Sequence, residues 1–383
     1  MQCAPKMAAR ILLAANSTWN LVNFRSPIIR ELRGRGFEVI AAASVDEWAT
    51  TLEAMGVRVE PIEVDSGGFS PVADALLLIR YYRMIKGLAP AALLAFTPKP
   101  NIYGSIAARW AQVPVINTIT GLGTGFLSGP LLRKLVVNLY RLALPSSARV
   151  FFHNDEDREL FLRLGLVRAD QAAVVSGSGI DLQAFAPSDA DVFDASPTFV
   201  FIGRLLRDKG VVEFAEAARL VKAQRSAHFQ IVGVPERHPK AVAPELAESW
   251  VREGVVDILG RAEDVRPYIR RADCVVLPSY REGLPRVILE ASAMGKPVIA
   301  ADVPGCRQAV DDGVTGLLCA ARSSQALADV MLSILDMPRE RRLEMGRKGR
   351  EKAQREFSEE SVVASYVEVI EQIQRSRDCW LQS

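Results

Sequence analysis

Short apolar runs alternate with helical patterns of hydrophobic and polar positions along the whole chain. In the first half, apolar and β-branched runs predict strands at residues 11–15, 38–42, 57–63, 91–96, 113–119 and 149–153. Apolar positions at helical spacing predict helices at residues 27–33 and 73–86. This alternation is typical of α/β proteins, in which helices cover both faces of a parallel sheet.

The alternation begins again after residues 187–197, whose Ser, Asp, Ala and Pro are typical of an interdomain linker. Strands are predicted at residues 198–202, 229–232, 256–259, 274–277 and 297–300, and helices at residues 212–224, 265–270 and 284–294. Two doubly wound halves bind ligands at the carboxyl ends of their strands. We therefore expect the ligand site in a cleft between two Rossmann-like domains.

The end of the chain is predicted to be helical from residue 339 onward, and the stretch 361–374 carries apolar residues on one face. Because such a face must be buried, we expect the final helix to return to the first domain. The predicted domains are residues 1–186, with the helix at about 361–383 packed on them, and residues 187–360.

Composition is that of an ordinary globular protein. The 383 residues are 49% hydrophobic and 24% charged, which excludes a disordered chain and a small disulfide-stapled fold.

Neither the five cysteines nor the three histidines have the spacing of a zinc site. No apolar run approaches the roughly 18 residues that a membrane span needs. We therefore expect a cytoplasmic chain, in which residues 10–15 form a buried strand rather than a secretory signal.

Charge is distributed unevenly, although the formal net charge of +2 does not indicate a nucleic-acid-binding protein. Residues 1–145 hold 15 Lys and Arg against 9 Asp and Glu, and the remainder holds 32 against 36. Two predicted helices at residues 75–86 and 131–141 combine basic and aromatic residues with a wide apolar face. Such helices bind anionic membrane surfaces, and the same pattern fits helices whose apolar face is core.

Two acidic residues stand out near the predicted helix at 284–294. Glu282 precedes the helix N-terminus, where free backbone N–H groups can hold an anion. Glu290 lies among apolar residues, where an unpaired carboxylate is costly, and Gly283 allows a ligand to approach the backbone. A capping acid and a solvated helix glutamate are the structural alternative for this pair.

Basic residues follow the predicted strand at 198–202. Gly203 and Arg204 come directly after the strand, and Lys209 lies further along the same loop. Arg204 and Lys209 suit a diphosphate that gains negative charge as it leaves. Surface salt bridging is the alternative, and we adopt it for Arg207 and Asp208.

Together these two segments resemble the retaining glycosyltransferases of family 4, which have the GT-B fold of two Rossmann-like domains. Glu282 and Glu290 match the E-x7-E pattern of that family, and the segment 203–210 matches its GR…KG diphosphate loop. Residues 179–181 and 312–316 resemble two further family turns. Residues 97–104 and 118–123 resemble the CapM-like capsular and O-antigen branch, close to the enzymes of lipid-linked oligosaccharide assembly. The resemblance covers essentially the whole chain.

The resemblance implies a role for each matching residue. Glu290 would accept hydrogen bonds from the nucleotide ribose, and Glu282 would contact hydroxyls of the donor sugar. Arg204 and Lys209 would neutralise the diphosphate and are, with Glu282, the implied catalytic residues. The remaining implied donor-binding positions are Gly203, Gly233, Arg261, Gly283 and Leu284, of which Gly233 and Arg261 fit a turn glycine and a surface arginine equally well.

The acceptor side departs from the family pattern, because Thr120 and Gly121 stand where many members have His-Gly. We therefore expect no histidine acid/base, and the leaving diphosphate itself would take the acceptor proton. Gly121 and Gly123 do not form a dinucleotide fingerprint, since Phe126 occupies the third glycine position. We assign Thr120, Gly121, Gly123, Lys99 and Asn101 to the acceptor side. Alternatively, the prolines that flank Lys99 stiffen a turn.

We expect no cofactor and no metal, because no DxD motif follows a strand in a way that would coordinate a nucleotide-bound divalent ion, and Arg204 with Lys209 can supply the positive charge. The predicted partners are a UDP-hexose or UDP-N-acetylhexosamine, a polyprenyl-diphosphate-linked sugar and the inner face of the plasma membrane. The predicted reaction is a step of surface polysaccharide synthesis. A UDP-sugar epimerase of the same fold and a non-catalytic sugar-nucleotide or lipid-binding subunit are the alternatives.

Overall fold

A computed structural model describes residues 9–65, 70–122, 129–187, 196–235, 238 and 240–382, and the side chains of these residues up to position 376. The chain divides into two compact units. The first comprises Met1–Ser178 and Glu359–Ser383, and the second comprises Gly179–Ser358. Each unit is built around one parallel sheet with helices on both faces, which confirms the predicted α/β class.

The first unit contains a seven-stranded sheet in the order β3-β2-β1-β4-β5-β6-β7. Its strands are β1 (Arg10–Ser17), β2 (Glu38–Ser44), β3 (Arg58–Pro61), β4 (Ala92–Ala95), β5 (Val115–Ile119), β6 (Arg149–Phe152) and β7 (Ala172–Val174). Its helices are α1 (Thr18–Gly34), α2 (Ala49–Ala54), α3 (Pro71–Leu88), α4 (Ser105–Trp110), α5 (Pro130–Ala143) and α6 (Asp155–Arg163), with a π-helical turn at Pro100–Gly104 and a 3₁₀ turn at Leu144–Ser146. The strand order reverses direction between β1 and β4, and ligands bind beside such a reversal in open α/β sheets.

The second unit contains a six-stranded sheet in the order β10-β9-β8-β11-β12-β13. Its strands are β8 (Thr198–Ile202), β9 (His228–Val232), β10 (Asp257–Ile258), β11 (Cys274–Leu277), β12 (Val298–Ala301) and β13 (Gly316–Cys319). Its helices are α7 (Val211–Lys222), α8 (Pro244–Arg252), α9 (Arg266–Arg271), α10 (Arg286–Ala293), α11 (Pro304–Ala309), α12 (Ser324–Asp336) and α13 (Arg339–Glu356), with a 3₁₀ turn at Arg207–Lys209. Here the order reverses between β8 and β11.

The final helix, α14 (Glu359–Gln382), belongs to the first unit. Its Tyr366 is fully buried, and the tyrosine hydroxyl lies 2.7 Å from the hydroxyl of Thr118 on β5. The Tyr366 ring also packs 4.7 Å from that of Phe151 on β6. The predicted return of the terminal helix to the first domain is therefore what the structure shows.

Several boundaries differ from the predicted ones. Helix α1 begins at Thr18 rather than at residue 27, because Ser17 caps it by accepting a hydrogen bond from the Asn20 N–H at 3.2 Å. Pro27 lies inside this helix instead of starting it. Helix α10 begins at Arg286 rather than at residue 284, so Glu290 lies little more than one turn into it.

The division between units falls between Ser178 and Gly179, ahead of the predicted position at 186 and 187. The Ile180 N–H donates to the carbonyl of Phe357 at 2.8 Å, which ties this segment to the second unit. Residues 188–195 of the predicted linker lie outside the described residues. Within the described part of the chain, no helix combines the length and hydropathy that crossing a bilayer requires.

Candidate functional site

Two loops meet at the carboxyl edge of the second sheet. Residues 203–210 follow β8, and residues 278–285 follow β11. Strands β8 and β11 are parallel neighbours, with Cys274 paired to Phe199, so both loops leave the sheet at the point where the strand order reverses. The sequence placed the acidic pair and the basic residues on separate segments, and the sheet topology brings these segments together.

The two loops are in close backbone contact. The Tyr280 N–H donates to the carbonyl of Asp208 at 2.9 Å. Gly210 has a left-handed φ of 73°, and a Cβ there would lie 2.1 Å from the carbonyl oxygen of Pro278. Only glycine satisfies both requirements, because it has no Cβ and adopts positive φ without strain. The close approach of the two loops therefore depends on glycine at position 210.

This contact places Lys209 beside Glu282. The Lys209 Nζ lies 2.5 Å from the Glu282 Oε1, and the exposed fractions of the two side chains are 27% and 11%. The pair is therefore partly shielded from water, and Lys209 is the more exposed of the two. Arg204 is exposed on the first loop directly after β8, so two cations and one acid share this edge of the sheet.

Glu290 is buried on α10, with 9% of its surface exposed. Burial raises the pKa of the Glu290 carboxyl, because it disfavours the charged form. Arg286, one turn earlier, opposes this shift by donating from Nε to the Glu290 Oε1 at 3.0 Å. The alternative interpretation of Glu290 as a solvated helix glutamate is therefore wrong.

The glycines assigned to the donor side pack the strand ends together. The Gly203 N–H donates to the carbonyl of Val232 at 3.0 Å, and the Gly233 N–H donates to that of Gly260 at 2.8 Å. A Cβ on Gly233 would lie 2.0 Å from the carbonyl oxygen of Gly203. Arg261 follows Gly260 and is exposed beside them. Gly283 and Leu284 are both buried in the second loop.

The acceptor-side candidates lie in the first unit, after β4 and β5. Lys99 Nζ pairs with the Asp74 carboxylate of α3 at 2.7 Å, and both side chains are largely buried. Thr120 and Gly121 are half-buried directly after β5, where Gly121 has a φ of 130°. Gly123 lies outside the described residues.

Asn101 does not lie on the surface after the strand. Its side chain is 1% exposed, donates to the carbonyl of Thr118 at 2.8 Å and accepts from the Asn117 Nδ2 at 2.9 Å. The reason is the π-helical turn at Pro100–Gly104, which buries this residue in the unit. Asn101 thus has a structural role that its position after a predicted strand did not indicate.

His153 was missed by the sequence reasoning, although it directly follows β6 at the same edge as Thr120. Only 6% of it is exposed, and among the described residues its Nε2 has no hydrogen-bond partner. Burial, together with the nearby Arg25 charge, lowers the pKa of His153 to about 3. The imidazole is therefore neutral at physiological pH. The only signal in the sequence was a histidine at the end of a predicted strand.

Within the described ranges, no group of three or more His, Cys, Asp or Glu side chains is arranged to hold a metal ion. The charged groups gathered after β8 and β11 are instead suited to an anionic ligand with hydroxyl groups, because Lys and Arg bind phosphates and carboxylates accept hydrogen bonds from sugars.

Both halves of the chain match known family models. Residues 10–154 match a model described as glycosyl transferase 4-like, and residues 196–337 match one described as glycosyl transferases group 1. The second model covers both loops that follow β8 and β11.

Two relatives are similar over most of their length. The chain is 28% identical over 343 residues to the N,N'-diacetylbacillosaminyl-diphospho-undecaprenol alpha-1,3-N-acetylgalactosaminyltransferase of Campylobacter jejuni, covering 85% of this chain and 89% of that enzyme. It is 27% identical over 284 residues to the UDP-Gal:alpha-D-GlcNAc-diphosphoundecaprenol alpha-1,3-galactosyltransferase of Escherichia coli, covering 70% and 72%. Among solved structures, Anabaena HepE in complex with UDP-glucose aligns with a TM-score of 0.77 and 21% identity. The alignment covers 97% of this chain and 100% of the HepE chain.

Proposed function

The chain belongs to the group 1 glycosyltransferases and has the GT-B fold, and from that premise we propose that it transfers a hexose or N-acetylhexosamine from a UDP-sugar to a polyprenyl-diphosphate-linked sugar. The observation that carries the donor side is the Lys209–Glu282 pair at 2.5 Å, with Lys209 on the same loop as Arg204. The acceptor class is supported by the C. jejuni and E. coli relatives, whose names specify diphospho-undecaprenol-linked sugars. Both family models describe transferases, which favours this reaction over the epimerase alternative.

The donor roles follow from charge and hydrogen bonding. The diphosphate of the incoming donor competes with Glu282 for the Lys209 ammonium, and Arg204 adds a second cation. Glu282 is then released to accept hydrogen bonds from hydroxyls of the donor sugar. Ionised Glu290 accepts from the ribose hydroxyls, and the loop backbone at Gly283 and Leu284 holds the donor.

The nucleobase end of the donor is proposed to lie further along the same sheet edge. Gly233 follows β9 and packs closely on the Gly203 carbonyl and the Leu205 side chain. Arg261 is exposed directly after Gly260. We assign these two positions to the nucleobase and ribose.

We propose that transfer proceeds with retention, as in family 4. The acceptor oxygen attacks the anomeric carbon on the face from which the diphosphate departs. The new C–O bond forms as the bond to the diphosphate breaks, and the acceptor proton passes to a diphosphate oxygen. No protein base is required, which agrees with Thr120–Gly121 in place of His-Gly. Arg204 and Lys209 stabilise the charge that develops on the leaving group, so the proposed reaction uses neither a metal nor a cofactor.

The acceptor is proposed to bind at the carboxyl edge of the first sheet. Thr120 and Gly121 present backbone there, and the Lys99 ammonium provides a cation for the acceptor diphosphate. Asn101 is not part of this proposal, because its side chain is buried and hydrogen-bonded inside the unit. Gly123 remains assigned to the acceptor on its position in the sequence alone.

A lipid-linked acceptor requires access to a membrane, and the first unit offers a suitable surface. Helix α3 buries one stripe in the core and leaves Val72, Leu76 and Ile79 exposed. Helix α5 likewise exposes Leu131, which is 83% accessible, together with Leu135 and Leu142. The exposed basic residues of the two helices are Arg80, Arg83, Lys86, Arg133, Lys134 and Arg141. We propose that this face binds the anionic inner leaflet of the plasma membrane peripherally.

The substrate assignment is tested by incubating the protein with a series of UDP-sugars and a polyprenyl-diphosphate monosaccharide, and by following the mass of the lipid product. We expect one UDP-hexose or UDP-N-acetylhexosamine to add a single residue. Glu282→Gln should reduce turnover by at least about a hundredfold, because it removes a charged acceptor from the reacting sugar. Transfer by Glu282→Gln at the wild-type rate would overturn the role of this residue. If no UDP-sugar extends any such acceptor, the proposed substrates are wrong.

A further inference from the structure

The loop at residues 278–285 is held in place by a residue that carries none of the assigned roles. Tyr280 lies two positions before Glu282, and it contacts three separate segments of the second unit through its backbone, hydroxyl and ring. From these contacts we infer that Tyr280 is a positioning residue that holds Glu282 against Lys209. The inference rests on the donor side of the proposed function. It adds that Tyr280 fixes the position of Glu282 before the donor binds.

The backbone contact lies beside the reacting pair. The Tyr280 N–H donates to the Asp208 carbonyl at 2.9 Å, one residue before Lys209. Asp208 is itself fixed, because its carboxylate lies 3.1 Å from the Lys240 Nζ. The two members of the Lys209–Glu282 pair therefore sit on either side of one main-chain hydrogen bond.

The hydroxyl contact anchors the loop to a helix. The Tyr280 hydroxyl donates to the Glu213 Oε1 at 2.6 Å, in the first turn of α7 directly after the Lys209 loop. The second oxygen of Glu213 is buried and has no hydrogen-bond partner among the described residues. Tyr280 is therefore the principal partner of this carboxylate. Loss of the hydroxyl would leave a shielded charge without its donor, which disfavours the present loop position.

The ring of Tyr280 makes the third contact. The Arg322 guanidinium lies 4.6 Å from the centre of the Tyr280 ring, within the range of a cation–π interaction. Arg322 has a left-handed φ of 62°, which residues other than glycine rarely adopt. The chain after β13 thus takes a costly backbone conformation at the residue that covers Tyr280. We name this set, Tyr280 with Glu213 and Arg322, the tyrosine clamp.

The clamp has a kinetic consequence. A donor bound to a loosened loop keeps its contacts with Arg204 and Lys209, but Glu282 no longer meets the sugar in a fixed orientation. Because orientation acts mainly on the reacting complex, losing the clamp should lower kcat more than it weakens donor binding. A residue needed only for folding would not produce this separation.

The test compares Tyr280→Phe, which removes only the hydroxyl, with Tyr268→Phe on α9 as a matched control. Tyr280→Phe should lower kcat about tenfold, corresponding to one hydrogen bond, with UDP affinity within about twofold of wild type. Glu213→Gln should keep most of the activity, because the amide oxygen still accepts from the tyrosine. Glu213→Leu should match Tyr280→Phe, and the two changes together should be no worse than either alone.

Hydrogen exchange provides a readout that needs no acceptor. Peptides covering residues 278–285 should exchange faster in Tyr280→Phe than in wild type, whereas peptides from β12 should not change. The clamp is refuted by unchanged exchange at 278–285, by wild-type kcat in Tyr280→Phe, or by additive effects of Tyr280→Phe and Glu213→Leu. Failure of the proposed function is recognised separately, since the wild-type protein itself would then bind no UDP.

Discussion

At the scale of single residues, the buried carboxylate of Glu290 shows how the site can sense pH. Burial raises its pKa, and the charge and hydrogen bond of Arg286 partly offset this increase. The proposed contact with the ribose needs the ionised form, because a protonated carboxyl is a poorer acceptor of two hydroxyl hydrogens. As pH falls, Glu290 therefore takes up its proton earlier than an exposed glutamate would, and donor binding weakens.

The first prediction concerns the loss of donor affinity at acidic pH, which is the acid limb of the pH profile. Donor affinity, measured by UDP titration between about pH 4 and pH 8, should fall on acidification at a higher pH than the ordinary pKa of glutamate, about 4.3. Arg286→Met should move the limb to still higher pH, because it removes the interaction that lowers the Glu290 pKa. In Glu290→Gln the limb should disappear and affinity should be low throughout. A limb that is unchanged in Arg286→Met would show that another group controls it.

Residue-level prediction from sequence worked where residue type determined the chemistry. Glu282 and Lys209 could be selected because acids and cations next to strand ends suit a sugar diphosphate, but their pairing at 2.5 Å depends on β8 and β11 being neighbours. Asn101 was expected to be presented after a strand, whereas a π-helical turn, which has no clear sequence signature, carries it into the core. The Tyr280–Glu213 bond joins residues 67 positions apart, so no local pattern indicated it.

At the scale of elements, helices α3 and α5 have two different faces. The sequence left open whether their apolar residues were core or interface, since periodicity cannot distinguish two apolar stripes on one helix. The structure shows both: Tyr81 and Ile85 of α3 are fully buried, whereas Leu76 on the same helix remains half-exposed. Only packing against the sheet separates the stripe that supports the fold from the stripe available to a membrane.

The second prediction is that the protein floats with vesicles containing about one third phosphatidylglycerol at low salt, and is released as salt is raised. Each basic residue near an anionic surface contributes about 1 kcal/mol, so Arg133→Glu with Lys134→Glu should weaken binding by at least about tenfold. Arg341→Glu with Arg347→Glu, on α13 of the second unit, changes the net charge equally and should have little effect. If wild-type protein does not bind these vesicles at low salt, the membrane proposal is abandoned.

Element positions were predicted well for buried strands and less well at helix ends. The strand predicted at 274–277 coincides with β11, because a short, continuous apolar run is typical of a fully buried strand. Helix α1 was predicted to begin nine residues too late, because the Ser17 cap was overlooked. Strand β13 was not predicted, because Gly316–Cys319 is short and follows a turn.

At the scale of the whole molecule, the chain repeats one architecture twice and uses the two copies differently. The second unit gathers cations and acids at the strand reversal between β8 and β11, whereas the first unit carries a basic, partly apolar surface on helices α3 and α5. The helix α14 returns to the first unit after the chain has completed the second. In the sequence, this difference between the units was indicated by the imbalance of charge between the two halves.

The central claim is that the loops after β8 and β11 together bind the diphosphate of a UDP-sugar. Isothermal titration of UDP tests it directly, using wild type, Arg204→Ala with Lys209→Ala, and a control pair, Lys222→Ala with Arg225→Ala, at and just beyond the C-terminal end of α7. Two charge-assisted contacts are lost in the first pair, so we predict affinity at least about a hundredfold weaker than wild type, with the control within about twofold. Equal UDP affinity in all three proteins would contradict the account.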